Sequence, residues 1–562
     1  MKKYLLFFLI YGVSPWIFAQ TACRVQEQKP LQLLAKELKR SMKIFKKQNP
    51  PIYYIAYNFN DVDVYNVRVE EQGIANRSDY RWLELQVQVR AGSAQMDNTR
   101  TLKTGKTEYN LPTMESPGIG EDGKAFLATV WRLTEQAAEE AQQDFNRVRA
   151  DAQTGAKRLD DSPDFVFPPQ ETFCQEYPTL TFDTKKIEAL LVKVSDLTRG
   201  KPFVLDSSFS FETKTGSRYF VDSVGTQLKT PIRLARLMYT LEGKTADGSR
   251  VNRSGFYDVL NEKELPSEEK LTEDVKQSLQ ELQDLLRAPE AEPITAPTLL
   301  KNRAMAVFVH EVLGHRMEGH RQKEDNFGRT FTDKIGQEIV SPLLTIVDDA
   351  TLPYFNNIPL RGFYQYDEEG VKARPVTLVK DGILKEFLMS SSPIKGFAVS
   401  NGHGRGGVGK RPVARMGNTR VIASQTVPYE VLEQQLLEEI KRQQKPYGFI
   451  IEDLSGGFTM TQTNYPQTFK LTPTLVYRIY PDGHKEMVRG ADIVGTPLAA
   501  FHEVMAAADD YDVFNGSCGA ESGWVPVSGI APSVLLRKLE IEKTGKSTTK
   551  PPLLPPPFGE GK

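Results

Sequence analysis

The sequence predicts an α+β protein, in which a mixed α/β domain up to about residue 295 is followed by a β-rich domain. Three observations favour this architecture. The first half of the chain combines long helical periodicity with long runs of alternating apolar and polar residues. Three prolines then fall within residues 288–297 and indicate a linker or the start of a new domain. Beyond them, short β-like runs separated by glycine predominate up to about residue 540.

The first half is expected to contain four helices and two strand regions. The helices are predicted over 31–47, 124–149, 183–199 and 267–287, and the strands over 53–89 and 203–241. Asp183 or Thr184 is the expected N-cap of the third helix, and Ser267 that of the fourth. Their side-chain oxygens can accept hydrogen bonds from the first helical turn.

The second half is expected to contain few helices. One helix behind the prolines carries a group of histidines, and another is predicted over 428–444. The Pro-rich end of the chain, 544–562, has the composition of a disordered tail.

The composition excludes several classes of protein. The 562 residues include 71 Lys+Arg against 72 Asp+Glu, so the net charge is −1. A nucleic-acid-binding protein usually has a basic surplus, and a disordered protein a high net charge. Three cysteines are too few for a disulfide scaffold or for a zinc site with four thiolates. We therefore expect a globular protein that does not bind nucleic acid.

The N-terminus has the layout of a secretory signal peptide. Lys2 and Lys3 precede an apolar run over 4–13 that is too short to span a bilayer, and Ala19 is a suitable residue for cleavage. We expect a signal peptide over 1–19 and a periplasmic or secreted protein without stable membrane insertion. The alternatives are a lipoprotein acylated on Cys23 and a buried N-terminal element.

Three of the six histidines, His310, His315 and His320, lie within eleven residues. His310 is followed by Glu311, and His315 comes five positions after His310. Residues five apart on a regular helix point about 140° away from each other, so they cannot face one ion unless the helix ends or bulges near Gly314. Neutral imidazoles suit zinc, and a glutamate beside a ligand can take a proton from an attacking water. An ordinary helix without a metal explains the motif equally well.

A zinc site needs a third ligand, and Cys518 is the candidate. It lies between Gly516 and Gly519, which suggests a tight turn that allows close approach. The alternatives are that Cys518 is a small buried apolar residue and that His320 is the third ligand.

The C-terminal half, from about 304 to 543, resembles the TldD/PmbA metalloprotease family. Four stretches carry the resemblance and occur in the order found in the family. They are His310-Glu311-Val312-Leu313-Gly314-His315-Arg316-Met317-Glu318-Gly319, Thr345-Ile346-Val347-Asp348-Asp349, Arg411-Pro412-Val413-Ala414-Arg415-Met416-Gly417-Asn418-Thr419, and Cys518-Gly519 through Val525-Pro526-Val527.

The resemblance implies that His310, His315 and Cys518 bind one Zn²⁺ per chain and that Glu311 is the catalytic base. It also implies an active, TldD-type member, and the expected signal peptide makes it an exported variant. We expect domains over 20–295 and 296–543, with the metal-binding helix at the start of the second, catalytic domain. The expected reaction is hydrolysis of peptides or unfolded polypeptide segments.

Three further expectations accompany this function. Since the family includes partners that lack the motif, we expect a homodimer or a heterodimer with such a paralogue. A non-catalytic assembly or maturation subunit that retains the zinc site is an alternative function, and a metal-dependent amidase or esterase is another. A purely structural zinc site has no need of a base such as Glu311, which disfavours the first alternative.

The Gly-rich segment 404–410 has the spacing of a phosphate-binding loop, but Arg411 stands where such loops have Ser or Thr. In the resembled family this loop lines the active-site cleft, so Arg411, Arg415 and Asn418 are predicted to bind substrate. Arginines paired with nearby acids are the alternative. After Cys518 the family usually continues Gly-Lys-x-Gly-Gln, and here Ala520 and Gly523 replace the lysine and the glutamine. Substrate contacts at those two positions are therefore not expected.

The remaining cysteines, Cys23 and Cys174, are expected to form a disulfide, because free thiols tend to pair in an oxidising compartment. A lipid on Cys23 and two buried thiols are the alternatives.

Overall fold

The computed structural model describes residues 21–545, apart from 104–108, 116, 121, 154–157, 325 and 464–467. The predicted signal peptide and all but residues 544–545 of the predicted tail lie outside the described residues. Both halves of the chain combine helices and strands, which confirms the α+β class.

The described part of the first half contains eight strands and four α-helices. The strands are β1 Thr21–Ala22, β2 Ile52–Glu70, β3 Gly73–Ala91, β4 Thr113–Glu115, β5 Thr172–Glu176, β6 Asp206–Asp222, β7 Gln227–Lys244 and β8 Arg250–Asp258. The helices are α1 Lys29–Phe45, α2 Lys124–Ala152, α3 Thr184–Ser195 and α4 Glu268–Arg287. All six predicted regions are present.

The predicted N-caps are also found. Asp183, rather than Thr184, caps α3 by accepting a hydrogen bond from Lys186 N at 3.1 Å. Ser267 caps α4 by accepting one from Lys270 N at 3.2 Å.

One sheet, in the order β1-β5-β7-β6-β2-β3-β4 with β8 beside β7, unites these strands. Because side chains alternate along a strand, the odd-numbered residues of β2 share one face. Near one end of the strand, Tyr57 is buried in the cluster formed with α1 and α2. Near the other end, Val67 is buried in the cluster formed with α3 and α4. Two helix pairs thus cover the same face of four strands that are 17 to 19 residues long.

The opposite face of this sheet packs against the second half of the chain. Arg218 on β6 is buried there and donates hydrogen bonds from Nη2 to the backbone oxygens of Tyr366, at 2.7 Å, and Asp367, at 2.9 Å. Tyr54 and Phe220 of the sheet share a small apolar cluster with Tyr366. The two halves therefore meet through a buried interface.

The second half contains seventeen strands and four α-helices within the described residues. The strands are β9 Ile294–Leu300, β10 Leu344–Asp348, β11 Tyr354–Phe355, β12 Ile358–Pro359, β13 Val376–Lys380, β14 Ile383–Leu384, β15 Gly404–Arg405, β16 Val413–Ala414, β17 Asn418–Ala423, β18 Gly448–Thr459, β19 Phe469–Ile479, β20 Lys485–Val488, β21 Ala491–Gly495, β22 Val504–Ala507, β23 Asp512–Ala520, β24 Gly523–Ala531 and β25 Val534–Lys543. The helices are α5 Asn302–Val312, α6 His320–Lys323, α7 Tyr429–Arg442 and α8 Pro497–Phe501.

Two sheets enclose helix α5. Strands β9, β18, β19, β21 and β25 close into a ring, because β18 pairs with both β9 and β19. A six-stranded sheet has the order β14-β13-β10-β17-β24-β23. Helix α5 is apolar on nearly all sides, as a helix between two layers must be. Its Phe308 packs edge-on against Phe469 of the ring and Phe501 of α8.

The Pro-rich segment does not form a linker, and the alternative, that it starts a new domain, stays a prediction. Its second part is strand β9, and Ala291 before it is fully buried, with its N–H bonded to Arg489 O. Proline lacks the N–H that a strand interior needs. Pro297 is accommodated because the pairing of β9 with β25 is interrupted at this position. Ala296 pairs with Leu539 and Thr298 with Leu536, and the register shifts between these two pairs. Helix α8, five residues long, was not predicted, since so short a helix shows no clear periodicity.

No helix among the described residues combines the length and the apolar character that a membrane span requires.

Cys23 and Cys174 are joined by a disulfide, with their Cα atoms 5.2 Å apart. The bond lies beside the antiparallel pairing of β1 with β5, so it attaches the start of the described chain to the edge of the N-terminal sheet.

The disulfide generates a prediction about stability. Cys174→Ser should lower the free energy of unfolding by about 3–5 kcal/mol, because a cross-link over a sequence separation of 151 residues restricts the unfolded chain. Urea denaturation of the variant and the wild type measures the loss. Non-reducing peptide mapping should find the Cys23 and Cys174 peptides linked, and Cys518→Ser, the control, should leave that link intact. An acyl group on Cys23, or alkylation of both thiols without reduction, would contradict the pairing.

Candidate metal centre

The histidines do not lie on one continuous helix. Helix α5 ends at Val312, and a 3₁₀ turn follows over Gly314–Met317. A side chain at position 314 would force Met416 to move, because a Cβ there would come within 2.0 Å of Met416 Sδ. The helix thus ends between His310 and His315, which a five-residue spacing needs if both side chains are to face one ion. The change from α-helix to 3₁₀ turn leaves the centroids of the two imidazole rings 5.1 Å apart.

His310, His315 and Cys518 form a compact, buried group. One ligand atom from each lies within 4.8 Å of the other two, and Cys518 Sγ is 3.3 Å from His315 Nε2. The structure therefore brings together the three predicted ligands, although Cys518 comes 203 residues after His315 in the sequence. Their role as ligands stays a prediction.

Cys518 lies on a strand rather than on the expected tight turn. It pairs with Val525 across the β23–β24 hairpin, and the turn comes later, at Glu521 and Ser522. Gly519 serves another purpose, because a Cβ there would meet the ring of Trp524 at 2.9 Å. The neighbouring glycines thus make room for side chains while the strand fixes the direction of the sulfur.

The charges within the group favour a bound cation. Burial alone would lower the pKa of both imidazoles, but Cys518 raises the pKa of His310, and Cys518 with Glu318 raises that of His315 well above its usual value. Burial would raise the pKa of Cys518, yet the two imidazoles lower it well below its usual value. A thiolate that draws protons onto two facing nitrogens would equally attract a metal ion.

A second layer of side chains orients this group. Glu318 Oε1 lies 3.1 Å from His315 Nδ1, which directs the Nε2 atom toward Cys518. Arg415 donates from Nη2 to Cys518 Sγ at 3.0 Å and to Cys518 O at 2.8 Å, and its Nε is 3.3 Å from Glu318 Oε1. Burial alone would raise the pKa of Glu318, but His315, Arg321 and Arg415 lower it to about 2. Glu318 belongs to the motif over 310–319, but the sequence alone does not predict that it orients His315.

Glu311 stands at the edge of the group. Its carboxylate is 4.0 Å from His315 Nε2, and its side chain keeps 13% exposure. Burial raises the pKa of Glu311, partly offset by His310 and His315. The carboxylate is thus close to the ligand atoms without being one of them in this arrangement.

His320 does not join His310 and His315. It contacts the carboxylate of Glu521 through Nε2, in a second group that also includes Glu318. Arg321 already neutralises that group, since it donates to Glu318 Oε2 at 2.7 Å and to Glu521 Oε2 at 2.9 Å. The geometry therefore favours Cys518 over His320 as the third ligand.

The three residues predicted to bind substrate have different surroundings. Arg415 is fully buried against Cys518, and Asn418 is fully buried and donates to the backbone oxygens of Asp349 and Leu352. Arg415 thus contacts the candidate centre, whereas Asn418 binds the backbone at Asp349 and Leu352, and substrate binding by either residue stays a prediction. Arg411 is 7% exposed and has its guanidinium over the ring of Tyr109, and neither its Nε nor its Nη2 has a hydrogen-bond partner among the described residues.

Comparison with known proteins identifies the second half. Residues 293–543 match the family model described as the PmbA/TldA metallopeptidase C-terminal domain. The chain is 30% identical over 289 residues to a metalloprotease of Archaeoglobus fulgidus, covering 51% of this chain and 61% of the relative. It is 27% identical over 306 residues to the metalloprotease TldD homolog of Haemophilus influenzae, covering 54% and 58%. A zinc metalloprotease TldD homolog of Saccharolobus solfataricus is 25% identical over 252 residues, covering 44% and 51%.

These alignments span about half to three-fifths of the relatives' length. Solved structures extend the likeness of fold to most of the chain. TldE from Thermococcus kodakarensis covers 91% of this chain with a TM-score of 0.60 at 15% identity, and all of the TldE chain is matched. A putative modulator of a DNA gyrase from Thermotoga maritima covers 90%, also with a TM-score of 0.60 at 15% identity. Together with the buried His310, His315 and Cys518, the family match shows that residues 293–543 are a C-terminal domain of the PmbA/TldA metallopeptidase type.

Proposed function

We propose that this protein is a zinc-dependent peptidase that hydrolyses peptides or unfolded polypeptide segments outside the cytoplasm. The observation that carries the proposal is the buried group of His310, His315 and Cys518 with Glu311 beside it. The match of residues 293–543 to a metallopeptidase C-terminal domain, and the name of the Saccharolobus solfataricus relative, support the class of reaction and the choice of metal.

The donor set suits zinc. Two imidazole nitrogens and one thiolate are ligands that Zn²⁺ accepts in tetrahedral geometry, whereas Mg²⁺ and Ca²⁺ prefer oxygen. Three protein ligands leave a fourth position open, which is the arrangement of catalytic rather than structural zinc sites.

A zinc ion bound here would supply a Lewis acid for the scissile carbonyl and would lower the pKa of the attacking water. Glu311, as a carboxylate, would accept the proton of that water and deliver it to the leaving amine. Glu318 holds His315 in the tautomer whose Nε2 is free to bind, and Arg415 stabilises the thiolate form of Cys518. Each of these roles belongs to a residue of this chain.

The position of Cys518 supports an extended substrate. Strand β23, which carries Cys518, is the outer strand of its six-stranded sheet as described. An extended peptide can add to the edge of a sheet through main-chain hydrogen bonds. A folded protein has few such free segments, which favours peptides and unfolded chains as substrates.

The disulfide supports a location outside the cytoplasm. Structural disulfides persist in oxidising compartments and are rare where thiols are kept reduced. The bond between Cys23 and Cys174 therefore agrees with the signal peptide expected over 1–19.

Replacing His310, His315 or Cys518 by Ala should remove the metal, because three ligands are the usual minimum of a catalytic zinc site. Elemental analysis of the purified variants measures this. His502→Ala is the matched control, since the His502 side chain is 44% exposed and remote from the group. Full zinc occupancy in Cys518→Ala would contradict its role as a ligand and would favour His320.

Glu311→Gln should separate metal binding from catalysis. The variant keeps the shape of the side chain but cannot accept the proton, so turnover should fall by about 10²- to 10⁴-fold while the zinc content stays near that of the wild type. A peptide-library digest read by mass spectrometry, with and without chelator, measures the activity. Glu338→Gln, on an exposed side chain, is the control. Undiminished peptidase activity in Glu311→Gln would refute the proposed base.

Arg415→Met should weaken metal binding without removing a ligand. The variant loses the hydrogen bond to Cys518 Sγ and leaves Glu318 without one of its cations, and changes of this kind usually cost about 10- to 100-fold in metal affinity. Competition with a chromophoric chelator measures the dissociation constant. Arg374→Met, where the arginine is half-exposed, is the control. Equal affinities in the two variants would show that Arg415 does not support the centre.

A further inference from the structure

Arg411 is a buried cation with unused hydrogen-bonding capacity. Only 7% of the residue is exposed, yet neither Nε nor Nη2 has a hydrogen-bond partner in the described part of the chain. Leaving buried donors of a charged group unpaired is costly, so the arrangement is expected to be completed by something that binds there.

The two free atoms are the pair with which arginine grips a carboxylate. Nε and Nη2 lie on the same edge of the guanidinium and can donate two parallel hydrogen bonds. This chain uses that edge elsewhere, since Arg236 donates from Nε at 2.9 Å and from Nη2 at 2.6 Å to the two oxygens of Asp258. Among the described arginines, Arg411 alone has both atoms buried and without a hydrogen-bond partner.

The plane of the Arg411 guanidinium stacks on an aromatic ring. It lies 5.0 Å from the centroid of the Tyr109 ring, and the backbone N–H of Arg411 donates to Tyr109 O at 2.7 Å. Stacking covers a face of the plane and leaves the edge free to bind. The fork is therefore rigid before any ligand arrives.

A neighbouring acid already has other partners. Glu369 is close enough for its charge to interact with Arg411, but its Oε2 accepts a hydrogen bond from Ser391 N at 2.6 Å and makes none with the guanidinium. Tyr109 directs its hydroxyl toward Glu324, about 3.4 Å from Oε2, rather than toward Arg411. A carboxylate from outside the chain is what the fork lacks.

The loop that carries the fork contacts the hairpin of the candidate metal centre. Gly407 N donates to Ser522 O at 2.7 Å, and the Ser522 hydroxyl accepts from Arg415, which contacts Cys518. A cavity flanks the loop and is lined by Lys410 and Pro412, the two neighbours of Arg411 in sequence. The loop and the centre are therefore joined through Ser522.

We propose that Arg411 binds a carboxylate of the peptide substrate through Nε and Nη2 and thereby sets a preference for acidic peptides. The carboxylate is that of an Asp or Glu side chain or that of the peptide C-terminus. The inference rests on the proposed peptidase function, and it adds the chemical class of substrate that this site selects.

The test measures binding to zinc-loaded Glu311→Gln, so that bound peptides are not consumed. Eight-residue peptides of Ala, Gly and Thr carry one Glu at each position in turn, with Gln at the same position as the uncharged match. Each is made as the free acid and as the C-terminal amide. Isothermal titration calorimetry should show one of two results. Either a Glu peptide binds about 10- to 100-fold more tightly than the Gln peptide of the same position, or the free acids bind more tightly than the amides by that factor. The first result identifies a side chain as the source of the carboxylate, and the second identifies the terminus.

Adding Arg411→Gln should abolish this difference while the affinity for the neutral amide peptides and the zinc content stay unchanged. Arg411→Lys, which keeps the charge but not the fork, should retain part of the difference, and Arg374→Gln should retain all of it. A merely structural role for Arg411 would lower binding of acidic and neutral peptides alike.

The protein that carries Glu311→Gln alone retains Arg411. If it bound Glu and Gln peptides equally, and acids and amides equally, the proposal would be overturned, even if Arg411→Gln failed to fold. Peptidase activity of the wild type is scored separately by the library digest, so loss of the subsite and loss of the peptidase function remain distinguishable.

Discussion

The buried ion pair between Arg415 and Glu318 joins the parts of the candidate centre. Glu318 follows the 3₁₀ turn and holds His315, whereas Arg415 follows β16 and holds the sulfur and carbonyl of Cys518 on β23. Neither side chain is exposed. Desolvating two such ions costs several kcal/mol, which is offset only when the surrounding groups complete their hydrogen bonds. Arg415 meets part of this condition, since Nη1 and Nη2 donate to Ser522 and to backbone oxygens of the hairpin.

The ion pair can orient His315 only if both histidines already face Cys518. The positions of the histidines depend on where α5 ends. The helix is enclosed by the ring of strands and the six-stranded sheet, so it cannot shift to correct a poor geometry. The close contact of Gly314 with Met416 then fixes the path of the chain into the 3₁₀ turn. A buried helix that stops at a defined residue converts a five-residue spacing, unsuitable on a regular helix, into two converging imidazoles.

The sequence predicted what depends on local pattern and missed what depends on distant contacts. Helix caps such as Asp183 and Ser267, and the need for a break near Gly314, follow from residues within a few positions of each other. The family motifs added Cys518, which no spacing rule could connect to His310. The role of Arg415 could not be foreseen, because its partners Cys518 and Glu318 lie about a hundred residues away in sequence. Glu318 contacts His315 only three residues away, but that contact depends on how the chain winds in the 3₁₀ turn. The tight turn assigned to Cys518 was wrong because glycine was taken as a sign of backbone curvature, whereas Gly519 makes room for Trp524.

The N-terminal half also contributes to the surroundings of the candidate centre, although the three predicted ligands all lie in the C-terminal half. Tyr109 belongs to the first half, and a bridge between Asn110 and Lys410 pairs its segment with the loop that carries Arg411. The aromatic face that covers the Arg411 guanidinium is therefore supplied by the first half of the chain, as is Arg218 in the interface. The candidate ligands thus lie in one half, while the surroundings of Arg411 need both. Because Tyr109 contacts Arg411 and none of the three candidate ligands, a change at Tyr109 can alter the surroundings of Arg411 while His310, His315 and Cys518 stay in place.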